Sequence, residues 1–306
     1  MIRRLPVASL LLLITTGALA ATPNCQFEKL PVGEETLGTW IDKSNWLAIE
    51  NQRLTLQSGE LFMATWRLSP ASDGQAVVTK QHPIDDFQAI DPFDGKQRNL
   101  GFLLDSRLYA DGLVVLRNGR VITERYRNGL TPDKPRLLLE ATRPLLNLLG
   151  AISVSQGKLA ADKSVIRYLP DLATSTGLRK ISIRRLLDSE ERHAWSPEEL
   201  DSWRHAGGWT DNQADSSIRT WLSQSGRWDK PLNEQEGAIF DASPDDDLLA
   251  WALAESNATP LSRLFCEQLL VRVNPEHDVL WVSDSQGVEL ASGLGLSLRD
   301  FAKLGQ

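Results

Sequence analysis

The chain has 306 residues, a formal net charge of −7, 42% hydrophobic residues and 24% charged residues. That balance excludes bulk disorder, a collagen-like repeat and a coiled coil, and leaves room for one large domain or two modest ones with a sizeable core. No Lys/Arg cluster interrupts the acidity, so nucleic acid is not an expected partner.

Residues 1–20 read as a leader. Arg3 and Arg4 precede an apolar run from Val7 to Ile14, and Ala18-Leu19-Ala20 is a small-residue cleavage pattern. Cleavage after Ala20 would deliver the chain to the periplasm or the outside of the cell. The apolar run is too short to span a membrane comfortably, so no transmembrane anchor is expected after cleavage. Cys25 and Cys266 are the cysteines of the chain. An oxidising compartment permits a disulfide, but their spacing leaves open whether they meet. His82, His193, His205 and His277 show no paired ligand spacing, so neither a metal nor another cofactor is expected.

Leu54-Thr55-Leu56 and Leu61 to Trp66 suggest short strands around a Ser58-Gly59 turn. From Ser69 to Gly101 the turn residues Pro70, Gly74, Pro83, Pro92 and Gly95 suggest a long irregular arm. Gly112 to Leu116 has a buried-strand pattern, Asn118-Gly119 follows, and Val121 to Tyr126 is β-rich. This predicts a hairpin, because both central turn residues need positive φ. Leu145 to Gln156 is apolar on most sides and Gly157 stops it, which predicts a helix in the middle of a domain. Ser196-Pro197-Glu198-Glu199 and Ser243-Pro244-Asp245-Asp246-Asp247 each combine an N-cap, a first-turn proline and first-turn acids. Ser297-Leu298-Arg299-Asp300 is a weaker start, and Asp278 to Val282 suggests a strand.

Tyr109 to Leu116, Gly119-Arg120 and Glu124-Arg125-Tyr126 together resemble the opening hairpin of β-lactamase-related serine hydrolases. That superfamily holds class C β-lactamases, DD-peptidases, esterases and 6-aminohexanoate-dimer hydrolases, and the last branch is the most similar. Gly157-Lys158-Leu159, Tyr168 to Leu172, Ile183 to Asp188, Gly293-Leu294 and Ser297 to Ala302 extend the resemblance in the same order. It implies an α+β β-lactamase/penicillin-binding-protein-like fold, an antiparallel sheet with helices plus a helical lobe. On this reading 1–20 is the signal peptide, 21–105 an accessory N-terminal segment and 106–306 a partial β-lactamase-related domain whose C-terminal strands are missing.

The family's nucleophile lies in Ser-x-x-Lys at the start of the central helix. Counting back from Gly157, the serine position is Glu140 and the lysine position is Arg143. A glutamate would form a labile anhydride, and an arginine stays protonated and cannot act as base. The Tyr position of the second motif becomes Asp241, and Ser243 fits its third position while also being a good N-cap. In relatives the third motif, Lys-Thr-Gly or His-x-Gly, lies on a strand well beyond the Arg-Asp helix, and the resemblance implies that this strand falls past Gln306. Glu140 and Arg143, three apart, suggest a helix-start ion pair replacing a lost site. Alternatively, Arg143 holds an anionic ligand through its planar fork. Among the ten tryptophans, Trp209 is the one singled out as a cleft-lining ligand contact.

Three functional readings follow. The chain is a non-catalytic secreted homologue that binds a peptidoglycan fragment, a peptide or a small amide or ester; it is a working amide or ester hydrolase with a nucleophile elsewhere; or it is a truncated gene product without function.

Overall fold

A computed structural model describes residues 24–70, 82–188, 191–210, 217–234 and 242–306. The leader and Asp241 lie outside the described residues.

The main sheet has five antiparallel strands in the order Glu28–Leu30, Ala64–Leu68, Val279–Ser283, Glu289–Leu296 and Arg136–Leu137. Val279–Ser283 is buried along its whole length, because it runs between two neighbours with helices packed over the sheet. Two of the five strands come from the segment expected to be accessory. Trp46, Phe62 and Met63 of that segment also belong to the main core. The sheet therefore crosses the division expected at residue 105: residues 28–30 and 64–68 pair into it.

The hairpin forms as expected, between Gly112–Arg117 and Arg120–Tyr126, with positive φ at Asn118 (51°) and Gly119 (75°). It stands as a separate two-stranded sheet, and its first strand is only half-buried rather than buried. The final helix, Leu298–Gly305, holds it. Arg299 donates to both carboxylate oxygens of Glu124 and also reaches Glu276. Asp300 accepts the backbone N–H groups of Glu276 and His277 and caps its own helix with Ser297. Gly112 lies so close to Leu298 that a Cβ there would sit 2.6 Å from its side chain. Two distant stretches of the family resemblance, Glu124-Arg125-Tyr126 and Ser297 to Ala302, thus meet in one ion-paired clamp.

Several local expectations change. Leu54 and Thr55 end a helix, Ile49–Thr55, rather than forming a strand, because the Thr55 hydroxyl bonds back to Asn51 and Trp46 carbonyls. The second short strand is Ala64–Leu68, shifted from Leu61–Trp66. The arm contains a small hairpin, Gln88–Ile90 with Gln97–Asn99. It is anchored by buried Asp91, which accepts from Arg107. The central helix spans Arg143–Ser155 and exposes Leu148 on one side. The helix buried all round is Pro244–Asn257, whose first ten residues are all buried. Glu289–Leu296 was not expected at all, since Gly293 and Gly295 weaken a strand pattern. These glycines are needed: a Cβ at Gly293 would lie 2.7 Å from the Val282 carbonyl oxygen.

Cys25 and Cys266 form a disulfide across 241 residues of sequence, with Cα atoms 5.7 Å apart. It ties the chain ahead of the first strand to the helical run that begins at Leu261–Phe265.

Candidate functional site

Glu140 sits in a single 3-10 turn, Leu139–Thr142, that leads directly into the central helix. Leu139 just before it has φ 47°, a left-handed conformation costly for a branched side chain. The backbone is thus bent sharply at the position that the resemblance assigns to a nucleophile.

Arg143 is the first residue of that helix. Its guanidinium forms an ion pair with Asp246, and its Nη2 donates to the Leu186 carbonyl at 3.1 Å. Both side chains are largely buried, at 12% and 5% exposure. The expected partner, Glu140 three residues back, is not the one found. The reason is placement: Asp246 lies in the first turn of Pro244–Asn257, which packs against the central helix. Arg143 therefore points into the protein toward a fixed carboxylate. A ligand carboxylate at this guanidinium would have to compete with Asp246.

Ser243 is the N-cap of Pro244–Asn257, in a capping box with Asp246. The Asp246 carboxylate accepts the Ser243 N–H at 2.9 Å. One carboxylate thus holds both the helix cap and Arg143.

The three consecutive aspartates are the first-turn acids of Pro244–Asn257. Each is buried with its own partners. Asp245 accepts from the Trp195 indole at 2.8 Å and lies 2.6 Å from His193 Nδ1. Asp247 accepts from the Trp203 indole and from the Ala291 N–H of the main sheet. Burial pushes the Asp247 carboxyl up to about 6, helped by the nearby Asp284 charge and opposed by those two donors. The helix start is a hub joining the helical lobe to the sheet.

Trp209 lines none of the described clefts. It is in the core, stacked on Trp46 with ring centroids 6.0 Å apart, and its carbonyl accepts the Trp46 indole N–H. Trp195, Trp221 and Trp228 likewise pack on one another and around His193. His193 and Asp245 were not paired by sequence reasoning. Only the proximity of the Ser243 helix to the Trp195 segment in space brings them together.

Ser262 donates through both its N–H and its Oγ to the partly buried Glu289. Ser262 is only 2% exposed, and the pair closes the start of the Leu261–Phe265 helix. That geometry is an end cap rather than a presented nucleophile.

No family model matches the chain. A 6-aminohexanoate-dimer hydrolase of Paenarthrobacter ureafaciens is 23% identical over 283 residues, spanning 90% of this chain and 67% of that protein. A solved structure from Bacillus anthracis, assigned to the 6-aminohexanoate-dimer hydrolases, superposes with a TM-score of 0.71 at 21% identity. It covers 86% of this chain and 70% of the other. The likeness in sequence therefore extends into the residues before 106 as well as through the hairpin and helices first noticed. The mixed architecture, an antiparallel sheet with packed helices, is β-lactamase-like. The chain is a homologue of the β-lactamase-related serine hydrolases and has their fold.

Proposed function

We propose that the protein is a secreted, non-catalytic member of this hydrolase group. The observation that carries the reading is the Arg143–Asp246 ion pair. In the serine hydrolases the corresponding lysine must be able to lose its proton toward the serine. Here a permanently charged guanidinium is bound to a buried carboxylate, and Glu140 replaces the hydroxyl. A site converted to an internal ion pair stabilises the scaffold and leaves neither nucleophile nor base.

Export to the periplasm or beyond is supported by the leader pattern of residues 1–20 and by the Cys25–Cys266 disulfide, a bond that persists in oxidising compartments. The ligand class, a peptidoglycan fragment, peptide or small amide or ester, follows from the hydrolase relatives.

The test is covalent trapping. Residues 21–306 are purified, shown to melt cooperatively, and incubated with a fluorophosphonate and with a penicillin, beside an active relative. Intact mass reads the outcome. No adduct is expected. A stoichiometric adduct would overturn the proposal, and peptide mapping would name the nucleophile, with Ser262 the first position to inspect.

A further inference from the structure

The largest of the described clefts lies away from Glu140 and Arg143. Its volume is about 780 Å³, within the range of small-molecule sites. One wall is a stripe of the Pro244–Asn257 helix, Asp247, Trp251 and Ala254, at helical spacing. Another carries Phe27, Trp66 and Val288. Ile218, Leu222 and Leu261 also line it and are at most 2% exposed, so its inner surface is apolar. Phe27, Trp66, Ala254 and Val288 are only half-buried and leave apolar surface for a ligand to cover.

The charged groups around this cleft are matched among themselves. Asp247, Glu255 and Glu289 line it together with Arg219 and Arg263, and the Lys29 ammonium lies 5.9 Å over the Trp66 ring. Arg219 pairs with Glu255 at 3.1 Å and stacks 5.1 Å from the Trp251 ring. Arg263 pairs with Glu267 at 2.7 Å. Glu289 accepts from the Ser262 N–H and Oγ and from the Leu261 N–H. Asp247 accepts from the Trp203 indole and the Ala291 N–H. An ionic head group entering here gives up its water and meets groups that already have partners. An uncharged body gives up only apolar hydration against the walls, which is favourable.

We infer that this cleft binds a small uncharged molecule with an aromatic or aliphatic body, seated against Phe27, Trp66, Ala254 and Val288. Affinity comes from apolar area, and the matched charges discriminate against ions of either sign. The inference goes beyond the reading of Glu140 and Arg143 and does not rest on it. The trapping experiment does not read it, and either result can stand without the other.

Ligand-observed NMR titration of the folded protein at pH 7 tests it with three probes of one shape: 2-phenylethanol, phenylacetate and 2-phenylethylamine. The alcohol should bind at least about fivefold more tightly than either ion. Lengthening it to 3-phenylpropanol should gain about fourfold, the effect of one more buried methylene. Ala254→Phe fills the cleft from the helix and Val288→Phe from the other wall; each, where it melts cooperatively like the parent, should lose alcohol binding. Glu255→Gln, at a side chain 45% exposed, tests the charge argument separately. The glutamine still accepts the Trp251 indole N–H, but Arg219 loses that carboxylate. Phenylacetate should then bind about threefold more tightly, with the alcohol unchanged. An ion bound as tightly as the alcohol, no saturable binding of either alcohol below about 10 mM, alcohol binding undiminished by a folded filling variant, or phenylacetate unmoved by Glu255→Gln would each overturn the inference.

Discussion

Replacing Arg143 by methionine keeps the length of the side chain and removes the charge. Asp246 would then be left buried without its guanidinium, at 5% exposure. Removing one member of a buried ion pair costs about 3–5 kcal/mol, because the remaining charge loses its partner but not its burial. Against a total stability of roughly 5–15 kcal/mol this is a large fraction. At about 2–4 °C per kcal/mol for a chain near this size, the midpoint should fall by about 10 °C. Asp246→Asn should also destabilise, although asparagine can still accept the Ser243 N–H, since the Arg143 guanidinium then loses the Asp246 carboxylate. The double variant Arg143→Met/Asp246→Asn leaves neither charge. It should recover at least about 2 kcal/mol relative to the sum of the single losses. The assay is urea unfolding of the four proteins at one pH, with slopes compared so that only midpoints are interpreted. Single losses below about 1 kcal/mol that simply add would refute the reasoning, because that is how an exposed, solvated pair behaves.

The disulfide gives a second prediction. It closes a loop of 241 residues, for which the chain-entropy estimate is about 5 kcal/mol of stabilisation. Cys25→Ser/Cys266→Ser should unfold at clearly lower urea, and an unchanged midpoint would refute the estimate. A third concerns pH. The Asp247 carboxyl is raised to about 6 in the folded protein from an ordinary 3.8. The folded state therefore binds the proton more tightly than the unfolded chain. The resulting stability is fully present below about pH 4 and is lost as pH rises through about 6, a change of about 3 kcal/mol. Burial raises the Asp284 and Glu289 carboxyls in the same direction. Asp247→Asn should flatten the slope of stability between pH 4.5 and 7; a slope unchanged by the variant would show that Asp247 is not its source.

Much of the local structure was legible in the sequence because it rests on neighbours along the chain. Asn118-Gly119 supplies two positive-φ residues in a row, so the hairpin forms wherever it is placed. Ser196 and Ser243 cap their helices through residues three positions on, and Gly157 ends the central helix with a φ of 71°. Glu140 and Arg143, at the positions that the resemblance assigns to the serine and the lysine, were also readable, since that reading uses residue type alone.

The tertiary structure decided which residues meet. Arg143 chose Asp246 over Glu140 because two helices cross there, which no spacing reveals. Trp209 was assigned to a cleft on chemistry alone, but an indole is equally suited to stacking in a core, and Trp46 takes it. The glycines of Glu289–Leu296 hid a strand because they weaken the local pattern, although close packing against Val282 requires one of them. The sheet itself joins residues 28–30 and 64–68 to residues 279–296 across most of the chain, and the disulfide repeats that long closure. Local preferences are energies of a few adjacent residues and can be read in order. Strand partners, buried charge pairs and the walls of the cleft are set by which distant surfaces bury one another.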